Sequence, residues 1–252
     1  MPKIWLWEVF FLTTLALAST IVFWWTDLDV EIASFFYGIN STEPWAIDSI
    51  FWQDVYASAQ WLSITVVVMG CAFIIMGFLR KDLKIWLRYG IFMVLGIAIG
   101  PGLLVNVVFK DHWGRPRPKA LVEFGGSEYY VPPLKFNESG DGRSFPCGHA
   151  SAGFSLVSLW FIRRDLKRGD DADKSFVKSI VLKVPQHAPL LLALAWGGIL
   201  GWVRMKQGGH FLSDVLWSAY ITFGVHYALW LWMFVRKSRQ AVISGDYAEA
   251  AA

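Results

Sequence analysis

Two histidines, one carboxylate and three basic side chains stand in three short stretches of this chain. The first is Lys110-Asp-His-Trp-Gly-Arg115-Pro-Arg117-Pro118, the second Phe145-Pro146-Cys147-Gly148-His149, and the third Arg204-Met-Lys-Gln-Gly-Gly-His210-Phe-Leu-Ser-Asp214. These residue types suit transfer of a phosphoryl group, whose charge spreads over its equatorial oxygens and is stabilised by fixed cations. Arg117 and Arg204 offer planar forks that match phosphate oxygens, and Lys110 a point charge. Gly148 lets the backbone come close to an anion, and a helix beginning there would add N–H donors. His210 and Asp214 are four apart, so on one helical turn the carboxylate can hold the ring and set its tautomer, which favours His210 as the nucleophile. His149, from another segment, is then free to protonate the leaving oxygen.

The elements that must position these groups are read from composition. The 252 residues are 55% hydrophobic, 17% aromatic and 17% charged, with a mean hydropathy of +0.42. A soluble domain averages about 25% charged residues, so an ordinary soluble globule is excluded. A net charge of +3 gives no reason to expect a nucleic-acid binder. Cys71 and Cys147 sit in unlike contexts and define neither a disulfide framework nor a thiolate metal site. Six stretches are long enough to cross a bilayer: Val9–Thr26, Val55–Leu79, Tyr89–Phe109, Phe145–Ile162, Val184–Val203 and Val215–Val235. Lipid leaves no backbone group unpaired, so the expectation is an all-α bundle of six transmembrane helices forming one domain over residues 1–252. Ala16-Leu17-Ala18 imitates a signal-peptide cleavage site, but only Lys3 precedes it and Glu8 interrupts the apolar region, so the first stretch is read as a retained span.

Loop charge sets the direction of the bundle. The loop from Asp27 to Asp54 has no Lys or Arg but holds Asp27, Asp29, Glu31, Glu43, Asp48 and Asp54. The next carries Arg80, Lys81, Lys84 and Arg88; the loop after the fourth span carries Arg163, Arg164, Lys167, Arg168, Lys174, Lys178 and Lys183; the tail carries Arg236, Lys237 and Arg239. Both termini are therefore expected in the cytoplasm, with the first, third and fifth loops outside. The outward third loop breaks the rule with Lys110, Arg115, Arg117, Lys119, Lys135 and Arg143, and the fifth with Arg204 and Lys206. Taken singly, such groups only snorkel or serve a helix dipole. Together, all three chemical stretches fall at one outer face, which the single readings do not explain.

At these residues the chain resembles the type 2 phosphatidic-acid phosphatases, a family that includes vanadium haloperoxidases and soluble bacterial acid phosphatases. The family pattern is Lys-x6-Arg-Pro, then Pro-Ser-Gly-His, then Ser-Arg-x5-His-x3-Asp. Lys110, Arg117 and Pro118 match the first part, Pro146, Gly148 and His149 the second, and Arg204, His210 and Asp214 the third. The resemblance implies a phosphohistidine at His210, orientation by Asp214, general acid catalysis by His149, phosphate held by Lys110, Arg117 and Arg204, and no metal or other cofactor. It implies a membrane lipid phosphate as substrate, presented at the periplasmic face of a bacterial inner membrane. Candidate substrates within the family are lipid A phosphates, undecaprenyl diphosphate and phosphatidylglycerophosphate, and the first two motifs look most like the lipid A-type branch. The third loop is long enough to fold over the site.

Two positions depart from the pattern. Cys147 replaces a Ser that donates to phosphate, and Val203 replaces the Ser before the arginine. A thiol is the weaker donor, leaving Cys147 and Gly148 in a phosphate-binding stretch with a poorer side-chain contact; a helix N-terminus and nearby cations also allow Cys147 a nucleophilic reading. Two further readings of the whole stay open: transfer of the phosphoryl group to another lipid, and binding or transport without reaction. His112 and Trp113 could help shape the site, whereas His187 and His226 read as packing residues. Gly208-Gly209 reads as a tight turn.

Overall fold

The computed structural model describes residues 2–38, 44–45, 49–80, 83–138, 140–168, 181 and 183–236. The charges counted above at Glu43, Asp48, Lys81, Lys174, Lys178, Lys237 and Arg239 lie outside the described residues. The described chain is helical. Helix α1 (Pro2–Trp25) is followed by α2 (Leu28–Gly38), α3 (Ile50–Leu79) and α4 (Lys84–Ile97), which widens into a π-helical extension, Ala98–Phe109. After a long loop come α5 (Gly148–Phe154), α6 (Val157–Arg168), α7 (Ala188–Lys206) and α8 (Leu212–Trp230), the last running on into a π-helical end, Leu231–Arg236.

Among the described residues, five helices are long and apolar enough to cross a membrane: Leu6–Trp25, Ile50–Leu79, Lys84–Phe109, Ala188–Lys206 and Leu212–Val235. Their outer faces are greasy, with Phe10 62%, Trp61 69% and Phe78 71% exposed. Buried among them are polar groups, including Ser144, Ser151, Ser155, Ser213 and Ser218. An apolar exterior, with the polar groups turned inward among a largely apolar core, is what a bilayer solvent demands.

The fourth expected stretch differs from the other five. A turn at Ser155–Leu156 divides Phe145–Ile162 into α5 and α6, neither of which is long enough to cross alone. The cause lies in its small polar residues. Ser151 Oγ donates to the Gly148 carbonyl at 2.8 Å and Ser155 Oγ to the Ala152 carbonyl at 2.6 Å, local bonds that compete with the helix ladder. The segment is enclosed by protein, with every residue from Ala150 to Ser158 buried. At its tightest contact a Cβ on Gly153 would stand 2.6 Å from the Gly197 Cα of α7. A second difference is α2, a helix inside what the sequence reads as the first outward loop. Its Ala33 packs with Leu121, Phe124 and Phe211, so it fastens the third loop to the start of α8.

Candidate active site

The three stretches meet where α5, α7 and α8 end beside the π-helical extension. The extension contains Pro101, which has no N–H to give the helix ladder, and Asn106 Nδ2 donates to the Pro101 carbonyl at 2.6 Å. Lys110 is the residue that follows this widened turn. Burial, together with Arg117, Arg204 and Arg143 nearby, lowers the Lys110 pKa despite an opposing effect of Cys147. Arg117 is lowered in the same way, by burial and then by Arg204 and Arg143. Arg204 lies 5.3 Å from the centroid of the Tyr56 ring, donates to Gln207, and keeps its Nε without a partner. Among the described residues, none of Lys110, Arg117 and Arg204 is ion-paired with a carboxylate. Three cations held together against their mutual repulsion are an arrangement suited to an anion.

His210 is buried beside them, after a turn in which Gly208 takes a φ of 59°, as its reading as a tight turn required. Its Nδ1 lies 2.5 Å from the Ser144 carbonyl; among the described residues its Nε2 has no hydrogen-bond partner within normal distance, with the Cys147 side chain close by. Asp214 stands one helical turn on, but its Oδ2 is 3.7 Å from Nδ1. The carboxylate therefore acts on the ring through its field, while the Ser144 carbonyl makes the direct bond. The Ser144 carbonyl thus joins Asp214, the group expected to hold the ring, beside Nδ1. Burial would lower the His210 pKa, but Cys147 and Asp214 outweigh it and hold it above the ordinary histidine value.

His149 stacks on Tyr56 of α3, ring centroids 4.3 Å apart at 26°. Gly148 fits tightly: a Cβ there would lie 2.7 Å from Asn106 Oδ1 and 3.5 Å from Lys110 Nζ. Cys147 is buried, and its backbone N–H donates to the Asp214 carbonyl at 3.2 Å. That N–H is committed to the protein and is not a free donor for an anion.

The sequence reading missed the groups that hold Asp214. Arg115 is completely buried and uses its whole fork. Nη1 donates to Asp214 Oδ1 at 2.5 Å and Ser213 Oγ at 2.8 Å, Nη2 to Asp29 Oδ2 at 2.9 Å, and Nε to the Val131 carbonyl at 2.7 Å. Burial alone would lower the Arg115 pKa, but Asp214 and Asp29 reverse this and raise it. Asp214 Oδ2 also accepts from Ser144 Oγ at 2.6 Å and from the Phe211 N–H at 2.8 Å. Asp29, from α2, accepts from the Ser213 N–H at 3.0 Å, from Ser213 Oγ at 2.5 Å and from the Tyr130 hydroxyl at 3.0 Å. One signal was available: an acid-rich first loop and a cation-rich third loop at the same expected face. His226 is buried, with Nδ1 at 2.8 Å from the Thr222 carbonyl in its own helix, in keeping with a packing role.

The PAP2 superfamily profile matches residues 87–238. The chain is 33% identical over 208 residues to a lipid A 4'-phosphatase of Francisella tularensis subsp. novicida, a match that covers 81% of this chain and 86% of the relative. Lipid A 4'-phosphatases of Rhizobium leguminosarum and Rhizobium etli are 36% and 35% identical, over 48% and 47% of this chain and 44% and 40% of their own lengths. No solved structure matches it.

Proposed function

Since the chain belongs to the PAP2 superfamily, the type 2 phosphatidic-acid phosphatases, we propose that it is an integral-membrane lipid phosphate phosphatase that works through a phosphohistidine on His210, with a lipid A-type phosphate monoester as substrate. The observation that carries the reading is a buried imidazole with Nδ1 engaged by Ser144 and Nε2 free, beside three cations that no described carboxylate neutralises. Lys110, Arg117 and Arg204 hold the phosphate oxygens. The Nε2 lone pair attacks phosphorus in line as the P–O bond to the lipid breaks, and His149, protonated once the phosphate dianion offsets Arg204 and Lys110 beside it, gives its proton to the departing oxygen. The lipid leaves as an alcohol. Neutral His149 then takes a proton from water, whose oxygen displaces His210 and releases inorganic phosphate.

Asp29, Asp214 and Arg115 supply the counter-charge. Two carboxylates and one guanidinium leave one buried negative charge, which matches the positive charge the imidazole gains on phosphorylation. The start of α8, pointing its N–H groups at both acids, steadies that charge until then. In the same reading α5 and α6 together make the fourth of six crossings. Their residues 148–168 would rise about 30 Å as helix, enough for the hydrocarbon core. Both termini then lie in the cytoplasm and the site faces the periplasm of a bacterial inner membrane.

The test uses the whole protein in detergent. Labelled lipid phosphate gives free phosphate and an acid-labile phosphoenzyme in the wild type, and neither in His210→Ala. His149→Ala loses about 10²–10⁴ in rate on the lipid but far less on an activated aryl phosphate, whose leaving group needs little protonation. A phosphoenzyme in His210→Ala, or equal losses for His149→Ala on both substrates, refutes the assignment.

A further inference from the structure

A cavity of about 380 Å³ opens beside His149 between α3, the π-helical extension and α5. That volume is within the usual range for a small-molecule site, about 300–1,000 Å³. Its walls carry Tyr56, Gln60, Ser63, Asn106, Lys110 and His149, and the remaining lining residues are Ala or Gly. No Leu, Ile, Val, Met or Phe lines it, although it is cut into the side of a bundle whose surface is otherwise made of them.

The contribution of α3 is a stripe. Tyr56, Gln60 and Ser63 are spaced four and three apart, so they share one helical face. Gln60 lies ten residues beyond Ile50, about 15 Å along the span. A primary amide at that depth is costly unless it has a partner, and polar groups inside spans tend to serve function. Gln60 makes no hydrogen bond among the described residues. Ser63 Oγ donates to the Ala59 carbonyl at 3.0 Å and keeps its lone pairs. Asn106 spends its Nδ2 on Pro101, while its Oδ1 faces Gly148.

We infer that this cavity is the leaving-group subsite, and that Gln60, Ser63 and Asn106 select a sugar alcohol bearing hydroxyl and amide groups over a glycerol or prenyl alcohol. The inference rests on the reading of His149 as the proton donor, because the group it protonates must sit on its side of the phosphate. An acyl or prenyl chain here would desolvate an amide, a hydroxyl and a carboxamide oxygen with nothing in return. A pyranose offers each of them a partner.

The experiment compares kcat/KM on two lipids in detergent, a lipid A 4'-phosphate and phosphatidic acid, for wild type, Gln60→Met and Ser63→Ala. Gln60→Met keeps the unbranched shape, and phosphoenzyme formation from an aryl phosphate identifies folded protein. The wild type prefers the sugar phosphate, and each variant lowers the sugar-to-glycerol ratio about three- to tenfold, the effect of one uncharged hydrogen bond. An unchanged ratio in both variants, or a wild type that prefers phosphatidic acid, overturns the inference. A wild type that releases phosphate from neither lipid overturns the phosphatase reading, and the inference with it.

Discussion

Removing Arg115 tests whether the buried acids are held as a charge-coupled unit. The side chain lies between Asp214 and Asp29, at 2.5 Å and 2.9 Å, with all three groups wholly out of solvent. Arg115→Met keeps much of the volume but leaves two carboxylates facing each other without a cation. Breaking a buried pair in this way costs about 3–5 kcal/mol. At about 2 °C per kcal/mol for a chain of this length, the thermal midpoint in detergent falls by about 6–10 °C. Asp29→Asn alone removes one acceptor of the guanidinium but keeps Arg115 paired to Asp214. In the double variant Arg115→Met/Asp29→Asn only one buried acid remains, and it retains Ser144 Oγ and the Phe211 N–H as donors. The double loss should therefore be smaller than the sum of the single losses by about 1–3 kcal/mol, the usual size of coupling between contacting groups, or about 2–6 °C. The measurement is unfolding of the four proteins followed by intrinsic tryptophan fluorescence under one set of conditions. Losses that add to within about 1 °C would refute the argument that these side chains share one electrostatic account.

Two further outcomes follow from the same geometry. The nucleophile must be neutral, and the raised His210 pKa places the acid limb of kcat/KM above the ordinary histidine value; Asp214→Asn removes a negative charge 3.7 Å from Nδ1, so the limb moves to lower pH while kcat falls by as much as about 10⁴, and a limb that moves to higher pH contradicts the account. Cys147→Ser retains or increases turnover, because a hydroxyl is the better donor in a stretch whose backbone N–H is already taken by Asp214; loss of activity in folded protein would instead revive the thiol as nucleophile.

Much of this was legible in the sequence because lipid makes a demanding solvent. Five of the six expected spans are found as long apolar helices, since a run of some 20 apolar residues has few other fates. Lys110 and His210 come together because each stands at the end of such a helix, and His149 joins them from the start of the short, enclosed α5. What could not be read were the contacts among loop residues. Arg115 was counted as one cation in an outward loop, two positions from Arg117, and periodicity says nothing about which of the two turns inward. Asp29 belonged to a loop whose length hid a helix, because α2 gains its stability from the third loop and Phe211 and not from its own eleven residues. The division of the fourth stretch follows from enclosure: surrounded by protein, it trades apolar bulk for Ser and Gly, and its hydropathy no longer reports its path.

The position of Asp29 has a bearing on biogenesis. The acid bonds Ser213, 184 residues later in the chain. A ribosome finishes α2 long before it makes α8; Arg115 reaches Asp29 only midway through that interval, and Ser213 only at its end. The region matched by the superfamily profile begins at residue 87, yet the buried charge network that holds its Asp214 through Arg115 includes a residue translated before that point. Translation products ending before α8 would thus carry all three clustered cations, Lys110, Arg117 and Arg204, but neither Ser213 nor Asp214. The buried charge network would be completed in one late step, when the last long helix closes on Arg115 and Asp29.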